Sequence, residues 1–400
     1  MSKLLAIAES LYAQVANFAR RLVQTPSLPG QEREIAALVE AEMKVIGYDE
    51  IWRDAAGNVI GRLHGCGDGH SVMLNGHMDH VDPGPLDAWQ YPPYAGIIAD
   101  DRLHGRGAAD MKGALAAELY AVAVLKENGL LPAGDVLVAA VVQEETGGLG
   151  TQCLLEAGLR SDRAIVGEAT NLQLTRGHRG RLEILATVEG RSVHASVPER
   201  GANPHYTVAR FLERLREMPL PRDPDFRSAS VAPTIIAGDQ ASSNVIPGRL
   251  VLHLDYRNLP GEDADDIVQR LQRLLDECLL DGCTGNVEIE RSRMATYTGY
   301  ERVVPNAFPP FQLPADHHLL TLARHALAEL TGTKPNVGVW RFSTDGGHLM
   351  EAGISTIGYG PGEEHLVHTT HESIAVADLT QAAAGYAALC LALSQPDTGS

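Results

Sequence analysis

The stretch "GDVLVAAVVQEETGGLGTQCLLEAGLRSDRAIVGEAT", residues 134–170, decides the fold. Its opening, "GDVLVAAVVQEE", reads as a buried strand because Val136 to Val142 is an unbroken apolar run. "GLGTQCLLEAGL" reads as a helix, and "DRAIVGEAT" as a second strand. Strand, helix and strand in that order argue for an α/β layer with a largely parallel sheet. Both strands run out into carboxylates, Glu144 and Glu145 after the first and Glu168 in the second. Ligands of open α/β sheets bind beyond the carboxyl ends of the strands, so these three acids are candidate site residues.

Neighbouring strand residues face opposite sides. Glu144 and Glu145 therefore reach one site only if the backbone leaves the strand there, which Gly147 and Gly148 make easy. The plainer reading is a solvated strand end.

The same alternation extends outward. Residues 1–23 read as an amphipathic helix, and residues 31–47 as a second helix closed by Gly47. The strands "NVIGRLHG" and "SVMLNGHMD" follow, then a Pro-, Tyr- and Gly-rich loop over 82–107, then a helix over 111–129. From about residue 180 the pattern becomes β-α-β-β-α-β, the ferredoxin-like order. We expect an α/β chain in two domains: a largely parallel-sheet catalytic domain, 1–179 and 294–400, and an inserted ferredoxin-like domain, 180–293. Helix 317–332 and strand "ISTIGYG" rejoin the first domain, and the tail "SQPDTGS", 394–400, is expected to fray.

The chain has 400 residues, with 51 acidic and 33 basic side chains and a net charge of −18. That balance disfavours nucleic acid and anionic membrane as partners. The five cysteines include no C-x-x-C pair, which fits a reducing cytoplasm. Glu9, Gln14 and Asn17 interrupt any signal-peptide core, and we expect no apolar run long enough to span a bilayer.

Further imidazoles and carboxylates stand near the same strand ends: His77 and Asp79 in "NGHMDH", Asp110 in "GRGAADMKG", and His368 and His371 in "HLVHTTHES". Singly, Asp110 could be a helix N-cap and His77 a structural histidine. Together, imidazole and carboxylate without thiolate suit a catalytic zinc, cobalt or manganese site. Residues two apart on a strand face the same way, so the Asp79 carboxylate is expected to bond the His77 ring nitrogen that a metal leaves free. Of the two adjacent glutamates, one would bind metal and the other accept a proton from a metal-bound water. "GRGAAD" fails the dinucleotide fingerprint at its last position, and no Gly-x-Ser-x-Gly elbow exists.

"NGHMDHVD", "GRGAADMKG", "VQEETGG", "VGEAT", "GRSVHASVPERGANP", "NVIPGRLVLHLDYRNLP" and "VHTTHES" occur in this order. Together they resemble the M20 metallopeptidase and deacylase family, which includes succinyl-diaminopimelate desuccinylase, acetylornithine deacetylase and glutamate carboxypeptidase. The loop stretch "DPGPLDAWQYPPYAG", 82–96, and "RFSTDGG" lean toward a bacterial branch of selenium-metabolism-linked hydrolases.

The resemblance implies roles. His77 would ligate one metal, supported by Asp79. Asp110 would bridge two metals, with a cis peptide to Met111. Glu144 would be the general base, Glu145 a ligand of the second metal and Glu168 of the first. The family's last ligand is a His four residues before a Glu; that selects His368, before Glu372, with His371 as the other candidate. His194 matches a histidine that in relatives enters a partner subunit's site and holds the oxyanion, and Asn244 and Arg257 match substrate-gripping residues. The cofactors implied are two divalent ions, zinc first, with cobalt or manganese as alternatives. The activity implied is amide hydrolysis of N-acyl amino acids or short peptides, by a homodimer formed through the inserted domain. A carbamoyl or ureido amidase, and a non-catalytic binding protein on the same scaffold, are the rival readings.

Overall fold

The computed structural model of the chain describes residues 3–397. The opening stretch folds as strand Val136–Val141, helix Leu149–Glu156 and strand Arg163–Val166. The two strands do not touch; Val72–His77 lies between them and runs parallel to both. All three are buried along their whole length, which is why they read as continuous apolar runs. Ser355–Tyr359 adds a fourth parallel strand beside Arg163–Val166. Antiparallel strands extend the sheet on both sides, Val59–Leu63 next to Val136–Val141 and Leu174–His178 next to Ser355–Tyr359. The sheet is thus parallel in its middle and mainly antiparallel toward its margins, where Val337–Trp340 adds a parallel pairing to Leu174–His178.

Helix Gly113–Asn128 is buried nearly all round, between the sheet and helix Val376–Leu393. The second of these corrects the expectation about apolar runs: it is long and apolar enough to cross a bilayer. Here it is a core helix, with Leu379, Tyr386 and Leu389 fully buried.

Strands Arg181–Glu189, Ser230–Gly238, Arg249–Arg257 and Thr284–Ile289 form a second, antiparallel sheet. Helices Pro204–Glu217 and Ala264–Asp276 complete the β-α-β-β-α-β order. Alternate residues of Arg249–Arg257 are buried, and Leu252 and Ile184 share a separate core with Phe211 and Leu271. The chain passes from this sheet back to the first between Phe308, paired with Arg181, and Phe311, paired with His178.

Three local expectations change. The N-terminal helix breaks at Leu11 into Lys3–Ser10 and Tyr12–Val23. Residues 82–107 are not all loop: Ile97–Ala99 and Arg102–His104 join Ser373–Ala375 in a small sheet, with a 3-10 turn at Leu86–Ala88. Residues 394–397 are held rather than frayed. Ser394 is buried, its hydroxyl accepts the Ala133 N–H at 2.9 Å, and Asp397 pairs with Arg163. Residues 398–400 lie outside the described residues.

Candidate metal centre

His77 is the last residue of the middle strand, and Glu168 stands two residues beyond its neighbour Arg163–Val166. The strand on the other side stops at Val141, short of the two glutamates that were expected to end it. Gln143 takes a left-handed conformation, φ 53°, and turns the backbone out of the strand. Its amide N–H donates to the Glu32 carboxylate at 3.2 Å. The Asp79 carboxylate then accepts both following amides, Glu144 N–H at 3.0 Å and Glu145 N–H at 3.2 Å. Gly148, φ 69°, completes the turn; a Cβ there would meet Asp345 Oδ1 at 2.6 Å and His348 Nε2 at 2.8 Å. Both glutamates therefore leave the strand on one side.

The expected Asp79–His77 bond is corrected in the same geometry. His77 Nδ1–H donates to the Asp79 main-chain carbonyl at 3.0 Å, while the carboxylate is 3.6 Å away and occupied with the turn. The result for the ring is the one foreseen: Nε2 faces the cluster.

Asp110 is not an N-cap. It sits in the turn Ala108–Lys112, with a cis peptide to Met111 as the resemblance implied. Its two oxygens face different histidines, Oδ1 at 2.9 Å from His77 Nε2 and Oδ2 at 3.0 Å from His368 Nε2. Glu372 anchors this turn from below, accepting the amides of Ala109 at 3.0 Å and Asp110 at 3.1 Å and pairing with Arg106.

The cluster divides about Asp110. On one side stand His77 and Glu168, 3.4 Å apart; on the other, His368 and Glu145, 3.2 Å apart. His371 takes no part; it is exposed, and its amide N–H bonds Thr369 Oγ1.

Burial and mutual charge set the electrostatics of this cluster. Burial, with the Asp110 charge beside them, pushes Glu145 and Glu168 up to about 7. Burial, above all, pushes Glu144 well above the carboxylate range. Burial opposes ionisation of Asp110 too, yet His368 and His77 hold it well below its ordinary value. Burial pulls His77 down, but Asp110 and Glu168 hold it far above its ordinary value; Asp110 and Glu145 raise His368 to about 10. Oε2 of Glu168 and Oε1 of Glu144 are buried with no hydrogen-bond partner among the described residues. Carboxylates crowded in a dry site, facing imidazoles that hold protons between them, are the arrangement that divalent cations replace. His77, Glu144 and Glu168, and likewise His77, Asp110 and Glu145, bring ligand atoms within 4.8 Å of one another. The all-N,O donor set fits zinc, cobalt or manganese.

The cluster lines a cleft of about 530 Å³ with Arg257, Phe308 and Val367. Arg257 is held in a two-point pair by Asp255, at 2.6 and 2.9 Å. His194 and Asn244 are not brought to this cleft. They lie together on an exposed two-stranded ribbon, Val193–His194 with Val245–Ile246, where Ala195 N–H donates to the Asn244 carbonyl at 2.9 Å.

Two site residues escaped the sequence reading. Asp345, buried and raised to about 6 by that burial, accepts the Thr151 hydroxyl at 2.6 Å beside the glutamate turn. Arg341 lines the cleft. Both belong to "RFSTDGG", whose Asp-Gly-Gly after a strand was the available signal.

A sequence model of peptidase family M20/M25/M40 matches residues 73–392. The uncharacterized protein YgeY of Escherichia coli K12 is 30% identical over 392 residues, covering 96% of this chain and 95% of that one. Acetylornithine deacetylase of Myxococcus xanthus is 30% identical over 335 residues, 81% of this chain and 80% of that one. Among solved structures, the YXEP protein of Bacillus subtilis, a dinuclear metal-binding peptidase, superposes with a TM-score of 0.73 at 17% identity, covering 96% of this chain and 99% of that one. A match running from the strand that carries His77 through the core helix after His368 spans both sheets and every residue of the cluster, and the chain belongs to peptidase family M20/M25/M40.

Proposed function

We propose that the protein is a two-metal hydrolase that cleaves the amide bond of N-acyl amino acids or short peptides. The observation that carries this reading is Asp110, whose two oxygens face two separate His–Glu pairs. His77, Asp110 and Glu168 would hold one ion, and Asp110, Glu145 and His368 the other. Bound there, two divalent ions, zinc in the first place and cobalt or manganese as alternatives, supply a Lewis acid for the scissile carbonyl and ready deprotonation of water at neutral pH.

The chain's own residues do the rest. Glu144 Oε1 has no hydrogen-bond partner among the described residues, and with the cations bound beside it to draw its carboxyl back to the ionised form it would take a proton from the attacking water. The same carboxyl passes that proton to the leaving amine. Asp79 fixes where Glu144 points by holding its amide. The Asp255 pair engages Nε and Nη2 of Arg257, which turns the guanidinium's remaining donors to a substrate carboxylate.

His194 and Asn244 complete the reading only across subunits. Their exposed ribbon would serve the cleft of a second copy in a homodimer formed through the inserted domain, with His194 on the oxyanion and Asn244 on the substrate. Domain limits of 1–179 with 294–400, and 180–293, are part of the same proposal, as is a cytoplasmic location, supported by the five unpaired cysteines.

The deacetylase among the relatives supports the acyl-amino-acid class. The test is hydrolysis of a panel of N-acyl amino acids and dipeptides by metal-loaded and chelated protein. Chelator-sensitive release of amine from the panel supports the reading; no turnover by metal-loaded protein contradicts it.

A further inference from the structure

We propose that Glu118 is a positioning residue of the metal centre: its carboxyl, wedged against Gly76 and Gly167, fixes how His77 and Glu168 meet at the first ion. This rests on the two-metal reading above, in which His77, Asp110 and Glu168 hold that ion.

Glu118 stands in helix Gly113–Asn128, behind the sheet. It is fully buried, and it is the only charged side chain between Gly113 and Leu125. Neither of its carboxyl oxygens has a hydrogen-bond partner among the described residues. An aliphatic side chain would pack there without the cost of desolvating a carboxyl, so this residue calls for a reason.

Its surroundings supply one. Strands Val72–His77 and Arg163–Val166 stop pairing at Asn75 and Val166, with a last bond from the Gly167 N–H to the Asn75 carbonyl at 3.0 Å. The next residues are Gly76, just before His77, and Gly167, just before Glu168. Glycine gives the backbone its greatest freedom, here one step before each ligand and past the end of that ladder. The Glu118 carboxyl occupies both notches. A Cβ at Gly76 would come within 2.6 Å of Oε2, and one at Gly167 would collide with Oε1. Met111 Cε reaches the same two notches, 2.8 and 2.7 Å from those Cβ positions. Met111 directly follows Asp110, so each ligand of the first ion has a chain neighbour at this wedge. Burial, above all, pushes the Glu118 carboxyl well above the carboxylate range, which makes glutamine its mimic in shape and charge.

The test is competition titration of the metal-free protein with Co²⁺ against a chelator, which reads both binding steps without turnover. Glu118→Ala removes the wedge. One of the two steps should weaken about tenfold or more, as when a ligand's outer support is lost, and the other clearly less. Glu118→Gln, which keeps the wedge, should recover most of that loss. Should Glu118→Ala fail to fold, Gly76→Ala presses the same contact from the other side. Its methyl would meet Oε2 and displace the carboxyl, and the same selective loss is expected. Wild-type affinity in the truncated or displaced variant, equal weakening of both steps, or a loss in Glu118→Gln as large as in Glu118→Ala would overturn the proposal. If the wild-type protein binds no Co²⁺, the two-metal reading itself fails, and this proposal with it.

Discussion

The carboxylate of Asp79 accepts the amide of Glu144 at 3.0 Å and, through its other oxygen, the amide of Glu145 at 3.2 Å. One buried side chain thus sets the direction of both glutamates of the cluster, and the left-handed Gln143 before them makes that possible. Asp79→Asn replaces one acceptor oxygen by an amide that can only donate. We expect kcat to fall ~10–100-fold, the usual cost of losing a support behind metal-site residues. The thermal transition should also drop, by an amount matching ~1–3 kcal/mol for an unmet buried donor. Wild-type kcat in the Asp79→Asn variant would show that the turn holds its shape without this carboxylate.

His368 and His371 compete for one role in the sequence, and the structure separates them. His368 Nε2 lies 3.0 Å from Asp110 and 3.2 Å from Glu145, whereas His371 is exposed and apart. His368→Ala should bind close to one metal equivalent fewer, read by elemental analysis of the dialysed protein. His371→Ala should keep the wild-type content. The opposite pattern would assign the ligand to His371.

Metal removal should cost more stability at high pH than at low pH. Without metal, burial and Asp110 raise Glu145 and Glu168 to about 7, from an ordinary 4.5. Carboxyls raised on folding leave the fold intact below about 4.5 and penalise it as pH climbs through about 7. Asp110 and Glu145 raise His368 from 6.5 to about 10, so its stabilising charge is complete below 6.5 and fades as pH approaches 10. Both effects weaken the metal-free protein as pH rises. The drop in Tm caused by a chelator should therefore be a few degrees larger at about pH 8.5 than at about pH 6. An equal or smaller drop at the higher pH would mean that these groups are not uncovered by metal loss.

How much of this was legible in the sequence depended on distance along the chain. His77, Glu168 and the glutamate pair were readable because adjacent parallel strands deliver their carboxyl ends to one edge, and their apolar runs were unmistakable. The hydrogen bonds of Asp79 were not, because they depend on how one turn presents its amides, and a non-glycine residue at φ 53° gives no sequence signal. Asp345 and Arg341 were missed for a different reason. Their loop meets the cluster only through packing, by way of the Thr151 hydroxyl nearly two hundred residues earlier. Strands of three residues, such as Ile97–Ala99, are too short to show alternation, so residues 82–107 read as loop. The roles of His194 and Asn244 came from resemblance alone, and their place outside the chain's own cleft makes them a matter of assembly.

The central claim is that Glu144 and Glu145, neighbours in the chain, do different work: Glu144 moves protons and Glu145 holds metal. Measuring kcat and metal content together for Glu144→Gln and Glu145→Gln tests this most directly. We predict that Glu144→Gln keeps the full wild-type metal content while kcat falls by ~10²–10⁴, the span of general acid–base catalysis. Glu145→Gln should lose metal along with activity. Near-normal turnover by Glu144→Gln, or metal loss in Glu144→Gln but not in Glu145→Gln, would contradict the assignment.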